Sequence, residues 1–461
     1  MVPERLLPLL DELAPLAERF AGAGRRLYLV GGSVRDAILG RPMEEIDLDF
    51  TTNARPDETK ALLDGWADSM WTQGERFGTI GAGRAGRRYE ITTHRAEAYT
   101  PDSRKPDVAF ADVVEADLSR RDFTVNAMAL ALPDAVLVDP FGGVADLAAH
   151  RLRTPLSPEE SFGDDPLRML RAARFIAGYD LAPDPELVDA VRALRSRLEI
   201  VSAERVREEL DKLLVVEHPG KGFWFLVQTG LADEFLPELP ALGLEQDPVH
   251  RHKDVLAHTI AVVERTRPDK VLRLAALLHD IGKPKTRSFG PAGVSFHHHE
   301  VVGARMAEER MRALRYPADE IADVRRLVEL HLRFHGYGDE VWTDAAVRRY
   351  ARDAGHLLGK LNELTRADCT TRNKAKASML SKRMDELERR IAELAAREEL
   401  DRLRPDLDGN QIMEHLGIGP GRLVGQAREY LLELRLEEGA LGEEEAYRRL
   451  DEWWARRSLE S

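Results

Sequence analysis

The sequence predicts an α+β fold: a small mixed or antiparallel sheet at the N-terminal end, followed by helices to the last residue. Three observations carry that prediction. Short β-like runs separated by glycine-rich turns fill the stretch from about Leu27 to Leu152. Strand signals almost vanish after Pro155, and helical periodicity recurs from there on. At 461 residues the chain is also too long for one hydrophobic core, so a series of modules is expected: 1–155, 156–245, 246–375 and 376–461.

Leu6, Leu9, Leu10, Leu13, Ala17 and Phe20 recur at helical spacing and open the chain with an amphipathic helix. LYLV, IDLDF, TIGAG, RYEITT, VAFADVV and VLVDPF then read as strands. SPEE at 157–160 reads as a capping box with Pro158 at the first helical position, and a further helix follows at DDPLRMLRAARF. The later helices are separated by EHPGK, LGLEQDPVH, the loop SFGPAGVSFHHH, and LDGNQ.

A net charge of −14 argues against a general nucleic-acid coat protein. It leaves room for local basic patches, which govern counterion release. Arg84, Arg87, Arg88, Arg95, Arg104 and Lys105 form one such cluster, and Arg348, Arg349, Arg352, Lys360, Arg366, Arg372 and Lys374 another. For either cluster taken alone, a solvated face is the better reading. The single cysteine, Cys369, excludes an internal disulfide framework and fits a reducing cytoplasm. MVPERLLPLLDEL carries acids and a proline where a secretion signal needs a basic stub and an apolar run. No stretch approaches the ~18 uninterrupted apolar residues of a membrane helix, so no membrane partner is expected.

The strand IDLDF is the most informative piece of chemistry. Its two-residue period turns Ile46, Leu48 and Phe50 to the core and Asp47 and Asp49 to the opposite face. Paired carboxylates repel unless a cation lies between them, and oxygen-only ligands on a rigid strand suit Mg²⁺. A bare D-x-D is more often just a polar strand face. Its neighbour LYLVGGSVRDAILG reads as strand, glycine pair and helix, with Gly40 as the C-terminal stop. Gly31 and Gly32 allow a phosphate close to the backbone, and the helix amides with the Ser33 hydroxyl face that anion. A triphosphate cradle beside a two-metal platform is the layout of metal-assisted nucleotidyl transfer.

LVGGSVRD, DLDF, GTI, SRRDFTVNAMA and DDPLRMLRAARF, in that order, resemble the bacterial class II CCA-adding enzymes and their poly(A) polymerase relatives. The resemblance implies a nucleotidyltransferase head, a helical neck that selects the base, and a helical tRNA-binding tail. It also implies template-independent addition and repair of the 3′-terminal CCA of tRNA from CTP and ATP with Mg²⁺. By this likeness Asp47 and Asp49 hold the catalytic metals, and Gly31, Gly32, Ser33 and Arg35 hold the triphosphate. Arg121, Asp122 and Asn126 serve the ribose, the phosphates and the coupling of head to neck; orienting an arginine is an equal alternative for Asp122. His94 in TTHR stands where an aromatic residue is expected.

Asp165 and Arg168, spaced i and i+3 at a helix start, offer an acceptor and a donor on one side. Cytosine and adenine present an exocyclic amine beside a ring-nitrogen acceptor; uracil and guanine present the reverse. The pair therefore suits C and A, and the resemblance assigns base selection to the same positions, with Asp164 where glutamate is frequent. The alternative is that Asp165 merely caps the helix. Arg171 and Arg174 then reinforce the pocket or contact phosphates. In SAERVREELDKLL, Glu204 and Arg205 are expected to brace neck helices.

His258, His279–Asp280 in ALLHDIGKP, His299, His331 and Asp368 form an ordered set that resembles the HD phosphohydrolase superfamily. Imidazoles with carboxylates suit Mg²⁺, Mn²⁺ or a transition metal. Within HHH at 297–299, His299 is chosen for the His-Glu and Gly-Ala that follow it. The implied activity is hydrolysis of phosphomono- or phosphodiesters at damaged RNA ends. AYTPDSRKPDVAF resembles the flexible loop that full CCA enzymes carry and CC-only relatives lack. LDGNQIMEHLGIGPGRLVGQ resembles the tRNA-contacting tail, where Arg422 faces phosphates or the segment is only a turn. Poly(A) or CC-only addition, and an HD phosphohydrolase with an RNA-binding head, stand as alternatives.

Overall fold

Alternating apolar residues and glycine turns build the first part of the computed structural model, which describes residues 7–41, 48–98, 107–244, 254–290, 293–334, 342–369, 374–398 and 405–460. The chain divides into two compact units, Met1–Pro237 and Glu238–Ser461.

In the first unit the helix Leu7–Gly22 buries the stripe Leu9, Leu13, Leu16, Ala17 and Phe20. The strands are β1 (Leu27–Val30), β2 (Leu48–Thr52), β3 (Ser69–Trp71), β4 (Thr79–Arg84) and β5 (Arg87–Thr93), a separate ribbon β6 (Arg95–Ala98) and β7 (Asp107–Phe110), then β8 (Ala129–Leu132) and β9 (Val136–Val138). Seven of them form one sheet in the order β3-β4-β5-β2-β1-β8-β9. All its pairings are antiparallel except β2 with β5, so the sheet is mixed. β1 is buried along its whole length, as a central strand must be. The β6–β7 ribbon flanks segment 99–106, which lies outside the described residues.

Two short strands, β10 (Arg151–Leu152) and β11 (Ala182–Pro183), pair in parallel on either side of the first neck helices. Ser157 caps the helix Pro158–Asp164, its Oγ accepting from the Glu160 amide at 3.2 Å. Pro166 cannot extend that helix, and a second one, Leu167–Tyr179, starts behind it. This second helix is largely buried, because the helices Ala203–Leu214 and Gly220–Gln228 pack against it.

The second unit is nearly all helix. Asp254 and Asp269 cap the helices Val255–Arg265 and Lys270–Leu278 through their side chains. After the short helix Lys283–Thr286, β12 (Arg287–Gly290) pairs antiparallel with β13 (Gly293–Phe296), where the sequence reads as a loop. The alternation is real but only four residues long per strand, too short to stand out beside a Gly-Pro pair. The helices His299–Ala313, Ala318–Leu330, Asp344–Ala354, Leu358–Asp368 and Lys374–Glu398 follow. Three more, Gly409–Leu416, Arg422–Glu438 and Glu443–Glu460, close on a core of Leu407, Ile412, Val424, Leu431 and Leu450. Among the described residues, no helix is long and apolar enough to cross a membrane.

Candidate functional site

The glycine turn after β1 has a steric cause. Gly31 sits at φ +70°, and a Cβ there would stand 2.8 Å from Arg121 Nη1. A larger residue would be strained twice over, in its backbone and against the guanidinium. The helix Gly32–Leu39 begins at once and ends on Gly40 in the left-handed region, as its sequence predicts. Arg121 is held by Asp117, which accepts from its Nη2 at 3.1 Å. A cation is thereby fixed against the turn where a phosphate can approach.

β2 runs beside this turn, in the middle of the sheet. Leu48 and Phe50 are buried and Asp49 is exposed, the alternation expected of a catalytic face. Asp47 and Ile46 lie outside the described residues. Directly beside Asp49 in register on β5 is Glu90, also exposed on that face. Glu90 adds a carboxylate that RYEITT alone does not single out, because its relevance depends on a strand pairing. Exposed oxygen ligands on adjacent strands suit a hard divalent cation.

A buried polar chain connects the turn to the neck. Arg35 grips Asp36 with Nε and Nη2, at 3.0 and 2.8 Å, and donates from Nη1 to Asn126 Oδ1. Its guanidinium also lies 4.2 Å from the centroid of the Tyr179 ring. Asn126 donates to Asp122 Oδ1 at 2.9 Å, while Asp122 Oδ2 accepts from Arg171 at 2.8 and 2.6 Å. Arg171 and Arg174 then share Glu209, at 3.5 and 2.8 Å. Burial opposes ionisation of Asp122, yet Arg171 and Asn126 hold its carboxyl well below the usual range. Glu209 is likewise buried and held low by Arg174 and Arg171. Asp122 is thus bonded to both Asn126 and Arg171. Glu209 escapes sequence reading because nothing local marks a carboxylate whose arginine partners lie 38 and 35 residues away.

Asp165 and Arg168 flank the break before the helix Leu167–Tyr179. Asp165 Oδ1 accepts from the Leu167 amide at 3.1 Å, so it does cap that start, and its Oδ2 takes Arg205 at 3.3 Å. Arg205 thus braces the neck. Arg168 is buried and donates to Ser161 Oγ at 2.9 Å and to the Arg120 carbonyl at 2.6 Å. It therefore reaches the backbone next to Arg121 and Asp122, with guanidinium hydrogens to spare for a further acceptor. His94 is fully buried, with Nδ1 on Thr51 Oγ1 at 2.7 Å and Nε2 without a hydrogen-bond partner. Burial pushes it down to about 4, so it is a neutral core residue at ordinary pH.

In the second unit all six chosen HD positions converge. His258 Nε2 is 2.9 Å from Asp368 Oδ1 and 3.3 Å from His279 Nε2. His279 Nε2 is 3.2 Å from Asp280 Oδ2, and His299 Nε2 is 3.4 Å from Asp280 Oδ1. His331 closes the ring, its imidazole centroid 5.2 Å from that of His279 and 5.3 Å from that of His299. The Nδ1 atoms of His279, His299 and His331 each engage the carbonyl three residues back, at 2.8, 2.8 and 2.6 Å. That fixes the tautomer and aims each Nε2 lone pair at the common centre. His331 Nε2 is buried there with no hydrogen-bond partner, the mark of a ligand awaiting a cation.

The electrostatics agree. Burial disfavours charge on His279, but Asp280 and Asp368 push it up to about 10. His331, buried and facing His279, is pushed down to about 3. Asp280, though buried, is held well below the usual range by His279 and by Lys283, whose Nζ donates at 2.7 Å. The donor set, imidazoles with two carboxylates, fits a divalent metal. Gly282 belongs to packing: a Cβ there would stand 2.2 Å from the His299 carbonyl.

Three family models match the chain in order. They are the poly A polymerase head domain over residues 27–153, the probable RNA and SrmB-binding site of polymerase A over 180–242, and the HD domain over 255–400. A stretch of 230 residues is 41% identical to the CCA-adding enzyme of Streptococcus suis, covering 50% of this chain and only 55% of that relative. The A-adding tRNA nucleotidyltransferase of Deinococcus radiodurans is 34% identical over 430 residues, covering 90% of this chain and 92% of its own. The fold is that of the Bacillus stearothermophilus CCA-adding enzyme in complex with CTP, with a TM-score of 0.68 at 22% identity over 98% of this chain and 100% of that one. With the head, the RNA-binding segment and the HD domain in sequence, and near-full-length identity to a tRNA nucleotidyltransferase, the chain belongs to the class II CCA-adding enzyme family.

Proposed function

We propose that this protein is a template-independent tRNA nucleotidyltransferase that adds and repairs the 3′-terminal CCA from CTP and ATP. The observation that carries the reading is the convergence, in one compact unit, of the Gly31 turn with Arg121, the Asp49 face of β2, and the Arg35–Asn126–Asp122–Arg171 chain. Asp47 and Asp49, with Glu90 beside Asp49, would hold Mg²⁺, and a bound ion would supply charge neutralisation for the triphosphate and acidify the attacking hydroxyl. Amides at Gly32 and Ser33 and the Arg121 guanidinium take the phosphates. Asp165 and Arg168 read the base edge, while Asp122, Arg171, Glu209 and Arg174 keep the neck in register with the head.

The test supplies a tRNA lacking its last three nucleotides, then one ending in CC, with each of the four triphosphates in turn. CCA addition predicts C, C and A in order, without U or G. A second reading, addition of the terminal A alone, is favoured by the similarity to the A-adding relative along nearly the whole chain. It predicts A on the CC-ended substrate and no C on the shorter one.

For the second unit the proposal is a metal-dependent phosphohydrolase, supported by the Nε2 atoms and carboxylates aimed at one centre. The chain's own residues there bind and orient: His258, His279, Asp280, His299, His331 and Asp368 would hold the metal, and Lys283 steadies Asp280.

A further inference from the structure

The hairpin β12–β13 joins the two halves of the metal cluster, leaving the Asp280–Lys283 segment and returning directly into His299. Its register places Arg287 opposite Phe296 and Phe289 opposite Val294, while Ser288 faces Ser295, their hydroxyls 2.7 Å apart. Cross-strand partners project to one face, so Arg287, Phe289, Val294 and Phe296 share a face and the serines share the other.

The direction of the aromatic face is set at its root. The Phe296 ring lies 5.7 Å from Lys283 Nζ, and that ammonium is bonded to the metal-cluster carboxylate Asp280. The Phe296 carbonyl meanwhile holds His299 Nδ1. At its root, the face that carries Phe296 is therefore the one beside the Lys283–Asp280 pair of the metal cluster. Further along the same face Phe289 is 71% exposed, the most exposed large apolar side chain among the described residues. One flank of its ring carries the Arg287 guanidinium at 4.8 Å. With Lys283 and Lys285, Arg287 makes three cations within five residues in a chain whose net charge is −14. Aromatic surface, arginine and a cationic root beside a phosphoester centre match an unpaired nucleotide, whose base stacks while its phosphate is neutralised.

We propose that this hairpin is a nucleobase-stacking arm of the metal centre, with Phe289 as the stacking ring. The centre then takes the phosphoester of an unpaired terminal nucleotide of RNA in preference to a bare phosphoester. The proposal rests on the reading of that centre as a phosphohydrolase. Hydrolysis of a terminal 3′-phosphate needs water alone: a bond forms from the water oxygen to phosphorus, the P–O3′ bond breaks, and the water's proton passes to the departing oxygen.

The experiment measures phosphate release by the Mn²⁺-loaded full-length protein from two substrates, a short RNA ending in a 3′-phosphate and glycerol 2-phosphate, which has no ring to stack. Phe289→Ala should lower kcat/KM on the RNA end by about 5- to 150-fold and leave glycerol 2-phosphate unchanged, because stacking acts on the base alone. Phe289→Trp should restore the RNA rate. Equal losses on both substrates would make the hairpin a brace for the cluster, and no loss on either would remove Phe289 from the contact; both results overturn the proposal. If the wild type releases phosphate from neither substrate while still extending tRNA, it is the phosphohydrolase reading that fails, and the stacking arm falls with it.

Discussion

Arg168 holds two roles that a measurement can separate. Its guanidinium ties Ser161 to the Arg120 carbonyl, and in the proposed function the same group reads the ring nitrogen of cytosine or adenine. Arg168→Ala should slow correct incorporation by about one to two decades, the loss of one charge-assisted hydrogen bond, and should relax the exclusion of U and G further. Single-nucleotide incorporation with each triphosphate checks it. A pure brace would lose thermal stability and keep its preference for C and A. Asp165→Ala should likewise blur selectivity, with a further ~1 kcal/mol of instability from the lost cap. His94 gives a second residue-scale test. Its folded value of about 4 lies below the ordinary 6.5, so the unfolded chain binds the extra proton between those values. Stability of the first unit should therefore be complete above about pH 6.5 and fall as pH drops toward 4, by at most ~3 kcal/mol. In His94→Gln that segment of the unfolding profile should flatten. How much of the site the sequence reveals divides on the same line. Gly31, Asp49 and His279 belong to local motifs whose spacing already implies geometry. The dual engagement of Asp165 depends on Arg205, a partner 40 residues away, and no spacing predicts it.

At the scale of elements, the neck is joined to the head by charge buried in hydrogen-bonded pairs. Asp122 accepts from Asn126 and Arg171, and Glu209 from Arg171 and Arg174. Removing one partner of such a pair strands the other, at a cost of about 3–5 kcal/mol. Asp122→Ala should cost that much in chemical unfolding of the first unit, and should depress addition of C and A alike, since it releases the neck without altering the base-reading edge. A change in the ratio of C to A addition would instead make Asp122 part of the base pocket. Folding legibility follows element length. The amphipathic opening helix and the central strands are long or regular enough to read directly. The hairpin β12–β13 is not, because two four-residue strands beside a Gly-Pro pair read the same as a loop until their pairing is seen. Glu90 is the same lesson in the head: a glutamate on RYEITT gains meaning only when β5 lies parallel to β2 and sets it beside Asp49.

For the whole molecule, the two candidate sites share no described residue and draw on different units. The nucleotide site uses positions between Gly31 and Glu209, inside Met1–Pro237, and the metal cluster uses His258 to Asp368, inside Glu238–Ser461. Each has its own ligands, so damage to one has no direct route into the chemistry of the other, and effects at distant independent sites add. Asp49→Asn should abolish nucleotide addition, because the metal platform needs its carboxylate, while tRNA affinity stays near wild type through distributed basic contacts. Phosphate release by the second unit should be unaffected. Asp280→Ala should do the converse. It removes the carboxylate that faces His258, His279 and His299, and leaves Lys283 buried without its partner. Some loss of stability in the second unit is therefore expected, so His279→Gln, which keeps the ring's approximate volume, serves as the companion variant. Metal uptake by the second unit, addition to tRNA and phosphate release are measured on the two single variants and on the double variant. Independence predicts that the double variant shows the two single defects and nothing more. If folded Asp280→Ala or His279→Gln protein loses tRNA extension along with hydrolysis, the two sites are energetically coupled, and separate chemistry in separate units is the wrong description of this chain.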